Sequence, residues 1–575
     1  MIHLARFRPK IVDAAKGYSS KHFVKDLSSG ITVGVIALPL AIAFAIASGL
    51  KPEAGLISAV IGGFLISAFG GSKVQIGGPA GAFVVIVYGI VERYGVPNLI
   101  LSTFLAGSLL FTMGLLRVGN LIRFIPVAII IGFTSGIAVL IGLSQIRDAF
   151  GLEISKLPGD FFSQIHAFAV HANTANPYAT LVCAGSLLII ILWPKIIAPL
   201  TKHWSWLNNI PGIIVALMTA TVISKLLELP ITTIGTRFGS IPNSLPTPTI
   251  PNLDWETAKY LFAPTLTIAI LGAIESLLCA RVADNLSDDK HNPNQELMGQ
   301  GIANMIVPFF GGLPVTGTIA RTATNAKAGA QSPISGIIHS IVILSIMVLA
   351  APLAVDIPLA ALAAILIYIA WNMFDIHEFK RLKQFNLTYR SVLLGTFFLT
   401  VIFDLTVAVE VGLVLACIFF IYRISSLTQI ESIALPDHLI AADDLHLIDN
   451  NASRPTITAY KIYGSLFFGA IDKIENLYSS SHAVTKVPQV MILEMHQLIN
   501  IDTSGIDSLK VLDKELKKSG GTLLVCAANE QPASLMTRSG FIQQIGEENS
   551  LPDLESAFER AREISLTQCK LSIGS

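Results

Sequence analysis

Hydrophobic residues come in long blocks up to about position 425 of this 575-residue chain and in short alternating stretches after it. The first block, Gly30 to Leu50, matches the ~20 residues a helix needs to cross a hydrocarbon core, and Pro39 within it predicts a kink. Further blocks run from Ala54 to Phe69, Ala80 to Val91, Leu99 to Leu116, Phe124 to Ile146, Ala179 to Ile197 and Ile210 to Leu227. The rest are Leu261 to Ala280, Leu297 to Phe310, Thr318 to Ala330, Ile334 to Ala354, Pro358 to Trp371, Val392 to Phe403 and Leu405 to Ile421. The pattern predicts about 14 membrane segments, of which Ala80 to Val91 and Thr318 to Ala330 are too short for straight spans.

Both short segments follow the same motif. Phe69, Gly70, Gly71 and Val74 recur as Phe310, Gly311, Gly312 and Val315 at one offset of 241 residues. An interrupted segment at matching places in two halves is a sequence pointer to a transporter binding site. Gly70 to Gly78 and Gly311 to Gly317 are therefore expected to be non-helical chain at membrane depth, tolerated only against protein or a water-filled cavity. Each is expected to open a half-helix whose N–H groups and positive dipole end suit an anion, with Pro79 in the first turn, where its missing N–H costs nothing. Arg321, one turn into the second half-helix, is positioned to contact a carboxylate or similar oxyanion. Gln75, Ser72, Thr316 and Thr318 add amide and hydroxyl groups that can face a ligand or cap backbone. Glu275 is the one charged residue between Lys259 and Arg281, and an ionisable group placed centrally in a span costs about 2.5 to 3.5 kcal/mol, so a titrating or ion-pairing role is expected. Asp404 and Glu410 fall at or near an outer turn, where acids are solvated.

Composition fits this picture. With 52% hydrophobic and 14% charged residues and a mean hydropathy of +0.65, most of the chain belongs in a bilayer. The 39 basic and 39 acidic residues cancel, which removes charge as a reason to expect nucleic acid. Five cysteines without a CxxC or CxxH pair predict neither a disulfide framework nor a metal site, and no cofactor is expected. A GK[ST] loop and an HExxH motif are also lacking, so an enzyme is not expected. With the N-terminus inside, Arg117, Arg123, Lys195, Lys202, Arg281, Lys290, Lys380, Arg381, Lys383 and Arg390 fall on the cytoplasmic side, and Arg423 leads into a cytoplasmic C-terminal region. The loops Gly151 to Pro177 and Glu228 to Lys259 fall outside.

Thr456 to Tyr463, Val487 to Glu494 and Leu523 to Cys526 read as strands, alternating with helical patterns at Ala470 to Ser479, Ser504 to Lys518 and Pro532 to Ser539. The chain thus divides into a cytoplasmic N-terminal segment (1–28), a transport domain (29–425), a linker (426–454) and a small α/β domain (455–575). Ser504 with Asp507 predicts a capping box, and phosphorylation of Thr503 or Ser504 would put charge at that helix N-terminus.

The stretches Gly30-Ile31-Thr32-Val33-Gly34, Gly77-Gly78-Pro79-Ala80, Gly132-Phe133-Thr134-Ser135-Gly136, Gly272-Ala273-Ile274-Glu275-Ser276 and Gly299-Gln300-Gly301-Ile302-Ala303-Asn304, with the segment Pro308 to Asn325, resemble the SulP anion transporter family. Gly464-Ser465-Leu466-Phe467-Phe468 and Asp502-Thr503-Ser504-Gly505 resemble a STAS domain. The resemblance implies a helical transporter of two inverted seven-span repeats, a core domain moving against a gate, a homodimer and a bacterial cytoplasmic membrane with both termini inside. It implies an anion held by Gln75, Gly78, Pro79, Ala80, Gly81, Thr316, Gly317, Thr318, Ile319, Ala320 and Arg321, with Glu275 binding the coupling ion. The runs Ile274 to Ala280 and Ala320-Arg321 look most like bacterial C4-dicarboxylate uptake members, implying succinate, fumarate or aspartate carried with a proton. Other readings are sodium-coupled bicarbonate transport, sulfate transport, an anion channel, or a sensor whose STAS domain meets a cytosolic protein.

Overall fold

The computed structural model describes residues 4–122, 126–155, 157–200, 211–239, 246–248, 255–287, 289–403, 405–435, 457–474, 477 and 488–573. Arg123, Lys202, Asp404, Thr456, Ser479, most of the 426–454 linker and part of the Glu228 to Lys259 loop lie outside the described residues. Two compact units emerge, Met1–Ala416 and Cys417–Ser575, so the division falls inside the last apolar helix, ahead of the boundary that composition suggests.

The first unit is helical. Its elements are α1 (Ser20–Ala47), α2 (Pro52–Phe69, with a π-helical turn over Ser58–Gly62), β1 (Gly77–Gly78), α3 (Gly81–Tyr94), α4 (Val96–Leu115) and α5 (Val127–Ser144). They continue as α6 (Pro177–Leu200), α7 (Gly212–Leu226), α8 (Phe262–Ser287), α9 (Pro293–Ile306), β2 (Thr316–Gly317), α10 (Ile319–Lys327), α11 (Ile334–Ala354), α12 (Leu359–Met373), α13 (Leu387–Ile402) and α14 (Leu405–Leu427). Among the described residues seven helices are long and apolar enough to cross a membrane, and the remaining apolar helices are shorter. The loop from Gly151 to Pro177 contains a helix of its own, Phe161–Val170.

Helices α1, α2, α4, α8, α9 and α11 pack as one group, and α5, α6, α7, α12 and α13 as another. The two groups meet where α3 lies between α4 and α5, and where α12 touches α1. This is the division expected of a core and a gate. Small residues set the close approaches: a Cβ at Gly301 would lie 2.5 Å from the Phe111 backbone nitrogen, and one at Gly107 2.6 Å from that of Met305, which draws α9 against α4.

The N-terminal segment is tied down. The Lys10 N–H donates to the Gly70 carbonyl at 3.0 Å, the Arg8 N–H to Gln295 Oε1 at 2.6 Å, and the Phe7 ring packs on Phe69. Helix α1 starts ten residues before the apolar block, at Ser20, because its first turns also have partners. The fully buried Asp26 carboxylate accepts from the Gln331 N–H (2.6 Å), the Ser332 N–H (3.1 Å), the Ser332 hydroxyl (2.6 Å) and the Tyr18 hydroxyl (2.8 Å). Burial, then the hydrogen bond and charge of Asp26, pushes the Tyr18 phenol up to about 12. Truncation by Asp26→Ala strands several buried donors at about 1 kcal/mol or more each, so a loss of roughly 3 kcal/mol is expected. Thermal unfolding of the purified protein should show a melting point several degrees lower, with the exposed Lys21→Ala unchanged; equal melting points would reject the anchor.

The second unit is α/β. Strands β3 (Gln429–Ser432), β4 (Ile457–Leu466), β5 (Val490–Glu494), β6 (Leu498–Ile501), β7 (Thr522–Cys526) and β8 (Ser550–Leu551) form a sheet in the order β3-β4-β5-β7-β8, with β6 pairing the end of β4. All pairings are parallel except β3 with β4. Helices α15 (Thr503–Lys518), α16 (Glu530–Arg538) and α17 (Leu554–Ile573) complete it. One core joins Ile462, Leu493 and Val525 to Leu509 and Leu512 of α15; another joins Ile492 and Leu524 to Phe558 of α17. Helix α15 corrects the capping box expected at Ser504: its N-cap is Asp502, whose Oδ1 accepts from the Gly505 N–H at 2.8 Å. A carboxylate in extended backbone adds charge to the dipole interaction and leaves Ser504 inside the helix. Thr503 is exposed.

Candidate functional site

The two broken segments meet. Gly77 pairs with Gly317 and Gly78 with Thr316 as a two-stranded antiparallel ladder, so each supplies backbone partners to the other. Several other backbone groups are met by side chains. The Gly71 N–H donates to Glu296 Oε2 (2.8 Å) and Gln295 Nε2 to the Phe69 carbonyl (2.7 Å). The Ile76 N–H donates to the Thr322 hydroxyl (2.9 Å), and Asn325 Nδ2 to the Val74 carbonyl (2.8 Å). On the second segment, Asn304 both donates to the Val315 carbonyl (2.8 Å) and accepts its N–H (2.9 Å), while Ser58 in the π turn accepts the Leu313 N–H (2.6 Å). Irregular chain of this kind is tolerated where its backbone groups find partners in protein, and many along both segments do.

Two glycines make room at the crossing. Gly78 has φ +151°, and a Cβ there would lie 2.7 Å from Arg321 Nη1; a Cβ at Gly317 would fall 1.9 Å from Gln75 Nε2. Gln75, Gly78, Thr316, Gly317 and Arg321 are thus brought together. The half-helices α3 and α10 begin after Ala80 and Thr318, and neither has a side-chain cap, which leaves first-turn N–H groups open. Pro79 precedes the N-cap rather than occupying the first turn, because the β1 ladder holds the chain extended until Ala80. The Thr316 and Thr318 hydroxyls are spent on backbone, donating to the carbonyls of Gly272 (3.2 Å) and Ile76 (3.0 Å). Ile319 and Ala320 are exposed, and Gly81 packs towards Met373 and Phe44.

Arg321 is 2% exposed, and neither Nη1 nor Nη2 has a hydrogen-bond partner. Both side-chain polar atoms of Gln75 and the Ser72 hydroxyl are likewise buried and unpartnered. Burying a cation and an amide unpaired is costly, so a ligand that answers them is the expected complement. Glu296, Asn325 and His339 were not flagged by sequence. Glu296 and Asn325 act as clamps on the broken chain, and buried His339, its Nε2 unpartnered, feels the Arg321 charge. The intramembrane-ionisable rule that flagged Glu275 applies equally to His339, inside the apolar α11.

Residues 23–395 match the sulfate permease family and residues 450–557 the STAS domain. The chain belongs to the sulfate permease family. It is 41% identical over 535 residues, 93% of its length and 97% of the relative's, to YvdB of Bacillus subtilis (strain 168), provisionally assigned as a sulfate transporter. The transmembrane domain of a cyanobacterial bicarbonate transporter, BicA, superposes with a TM-score of 0.61 at 30% identity, covering 70% of this chain and 98% of that one. Murine Slc26a9, an anion transporter in its inward-facing state, shares the fold over 96% of this chain and 94% of its own (TM-score 0.82, 17% identity). The dicarboxylate specificity expected from the local runs is not singled out: the relatives' names speak of sulfate and bicarbonate.

In this sulfate permease member the cavity that Glu275 lines includes none of Gln75, Gly78, Thr316, Gly317 and Arg321. Its neighbours on α8 serve the second segment, Gly272 through its carbonyl and Cys279 by donating its S–H to the Thr322 hydroxyl at 3.1 Å. The Glu275 side chain, half-buried, lines a narrow cavity of about 40 Å³ with Phe133 and Thr134 of α5, Ile274 and Thr396 of α13. It lies at the seam between the two helix groups.

Proposed function

We propose that this chain is a secondary carrier that holds one small oxyanion between the starts of α3 and α10 and moves it across a bacterial cytoplasmic membrane by alternating access. The observation that carries the reading is the buried Arg321 guanidinium, with both terminal nitrogens unpartnered beside the unpartnered Gln75 amide. The names of similar proteins, sulfate and bicarbonate transporters, favour those compact anions over the C4-dicarboxylates succinate, fumarate and aspartate. Glu275 binds the coupling ion, a proton in preference to sodium. The carrier works as a homodimer with both termini cytoplasmic, and its STAS domain offers Thr503, exposed at a helix start, for modification or a cytosolic partner.

Uptake of labelled sulfate, bicarbonate and succinate into proteoliposomes, under separate proton and sodium gradients, tests this. The expected result is gradient-driven accumulation of one of the compact anions, accelerated when unlabelled substrate is placed on the opposite side. Flux without such counterflow would make the protein a channel; accumulation of succinate alone would restore the dicarboxylate reading.

A further inference from the structure

A second polar cavity, of about 250 Å³, lies at the far end of α1, beside Ala47 and Gly49. Helix α1 has 28 residues, so this is about 40 Å from the N-terminal segment, at the opposite end of the transport unit. None of the residues around Arg321 lines it. Its walls come from Ile46 and Ala47 of α1, in one helix group, and Ser144 of α5, in the other, with α3, the Ile146–Ala149 turn and the Phe161–Val170 and Ile234–Phe238 helices between them in the lining.

Charge in this cavity is separated. Arg147 binds Asp148 through two nitrogens at 3.1 Å, and Arg237 Nη1 reaches the same carboxylate at 2.8 Å. Two guanidinium groups share one acid, which leaves one positive charge in excess there. Glu92 also lines the cavity and has no cation or hydrogen-bond partner among the described residues; its carboxylate rests against Gly159, where a Cβ would overlap Glu92 Oε2 at 1.8 Å. Gln164, 6% exposed, presents an unpartnered Oε1 to the same space. Tyr88 lines the same space, and its hydroxyl donates to the Leu157 carbonyl.

We propose that this cavity binds a small zwitterion, its ammonium group on Glu92 and Gln164 and its carboxylate or other oxyanion on the spare donors of Arg147 and Arg237. A bare anion leaves Glu92 opposed, and a bare cation leaves the arginine excess opposed; a dipolar molecule answers both. Because the walls belong to both helix groups, an occupant holds them together at this end and resists their separation.

Purified full-length protein is titrated calorimetrically with glycine, β-alanine and 4-aminobutyrate, a series of increasing charge separation, and with acetate and ethylammonium at matched ionic strength. Saturable binding of at least one zwitterion is expected, with neither acetate nor ethylammonium binding comparably. Glu92→Gln should weaken it about tenfold, as loss of one charge-assisted hydrogen bond does, and Arg237→Gln similarly. Arg321→Ala should leave it unchanged, which separates this site from the transported anion. Glu92 has no partner to orphan, so its variant carries the test even if Arg237→Gln unfolds by freeing Asp148. No binding of any of the three zwitterions, equal binding of acetate, or binding indifferent to Glu92→Gln overturns the proposal.

Discussion

Arg321→Ala is expected to lower substrate kcat/KM at least about a hundredfold in proteoliposome uptake, through loss of a charge-assisted and bidentate contact in a dry site. The unusual part of the expectation concerns stability. Neither Nη1 nor Nη2 donates to any protein group, so truncation orphans no acceptor and removes a buried cation that has no counter-charge among the described residues. The variant should therefore melt at or above the wild-type temperature without substrate, and lose the substrate-induced rise in melting point. Arg321→Lys keeps a charge but not the planar fork, and should recover only part of the rate. A structural arginine behaves in the opposite way, with a lower melting point and a transport loss that follows the misfolded fraction. Wild-type KM in Arg321→Ala would remove the residue from the site.

Much of this site is legible in the sequence, because its signal is local. The repeated Phe-Gly-Gly, two short apolar segments and one arginine inside an apolar region are visible without knowing what they touch. What brings them into register is not local. The ladder of Gly77–Gly78 on Thr316–Gly317 joins residues 240 apart in the chain, and it displaced Pro79 from the helix turn to which its chemistry alone assigned it. The clamps Glu296 and Asn325 were hidden for the same reason: each acts on a backbone group more than 200 residues away, and a polar residue near a helix end looks like ordinary solvation. The burial of Asp26 has no signal in the sequence, because two of the residues that donate to it, Gln331 and Ser332, lie about 300 residues away. In the second unit β4, β5 and β7 were legible as apolar runs, β5 and β7 being almost wholly buried, whereas β3, β6 and β8, at two to four residues with exposed positions, offer no such run. Asp502 displaced Ser504 as the cap because two candidate caps two residues apart are separated only by backbone conformation.

Glu275→Gln is expected to abolish accumulation against a gradient while leaving exchange of internal for external substrate largely intact. The expectation follows from where the side chain points. Gly272 and Cys279, on either side of it in α8, are committed to the second broken segment, so the helix carries any rearrangement at the anion site past Glu275. The carboxylate meets Phe133, Thr134 and Thr396 of the opposite helix group in a space of about 40 Å³, room for little more than an ion or a water molecule. An isolated charge there is costly, and a bound proton or sodium ion removes the cost; sliding of one helix group past the other alters access to the group and so the ion it holds. Glutamine has the shape of the protonated acid but cannot exchange its proton, so the loaded arrangement persists and only coupling is lost. Accumulation should fall at least about tenfold, with counterflow within about twofold of wild type. If a sodium gradient drives wild-type uptake and a proton gradient does not, the ion changes and the residue keeps its role. Undiminished accumulation in Glu275→Gln under either gradient would move the coupling site off α8, and His339, buried within range of the Arg321 charge, would be the next group to replace.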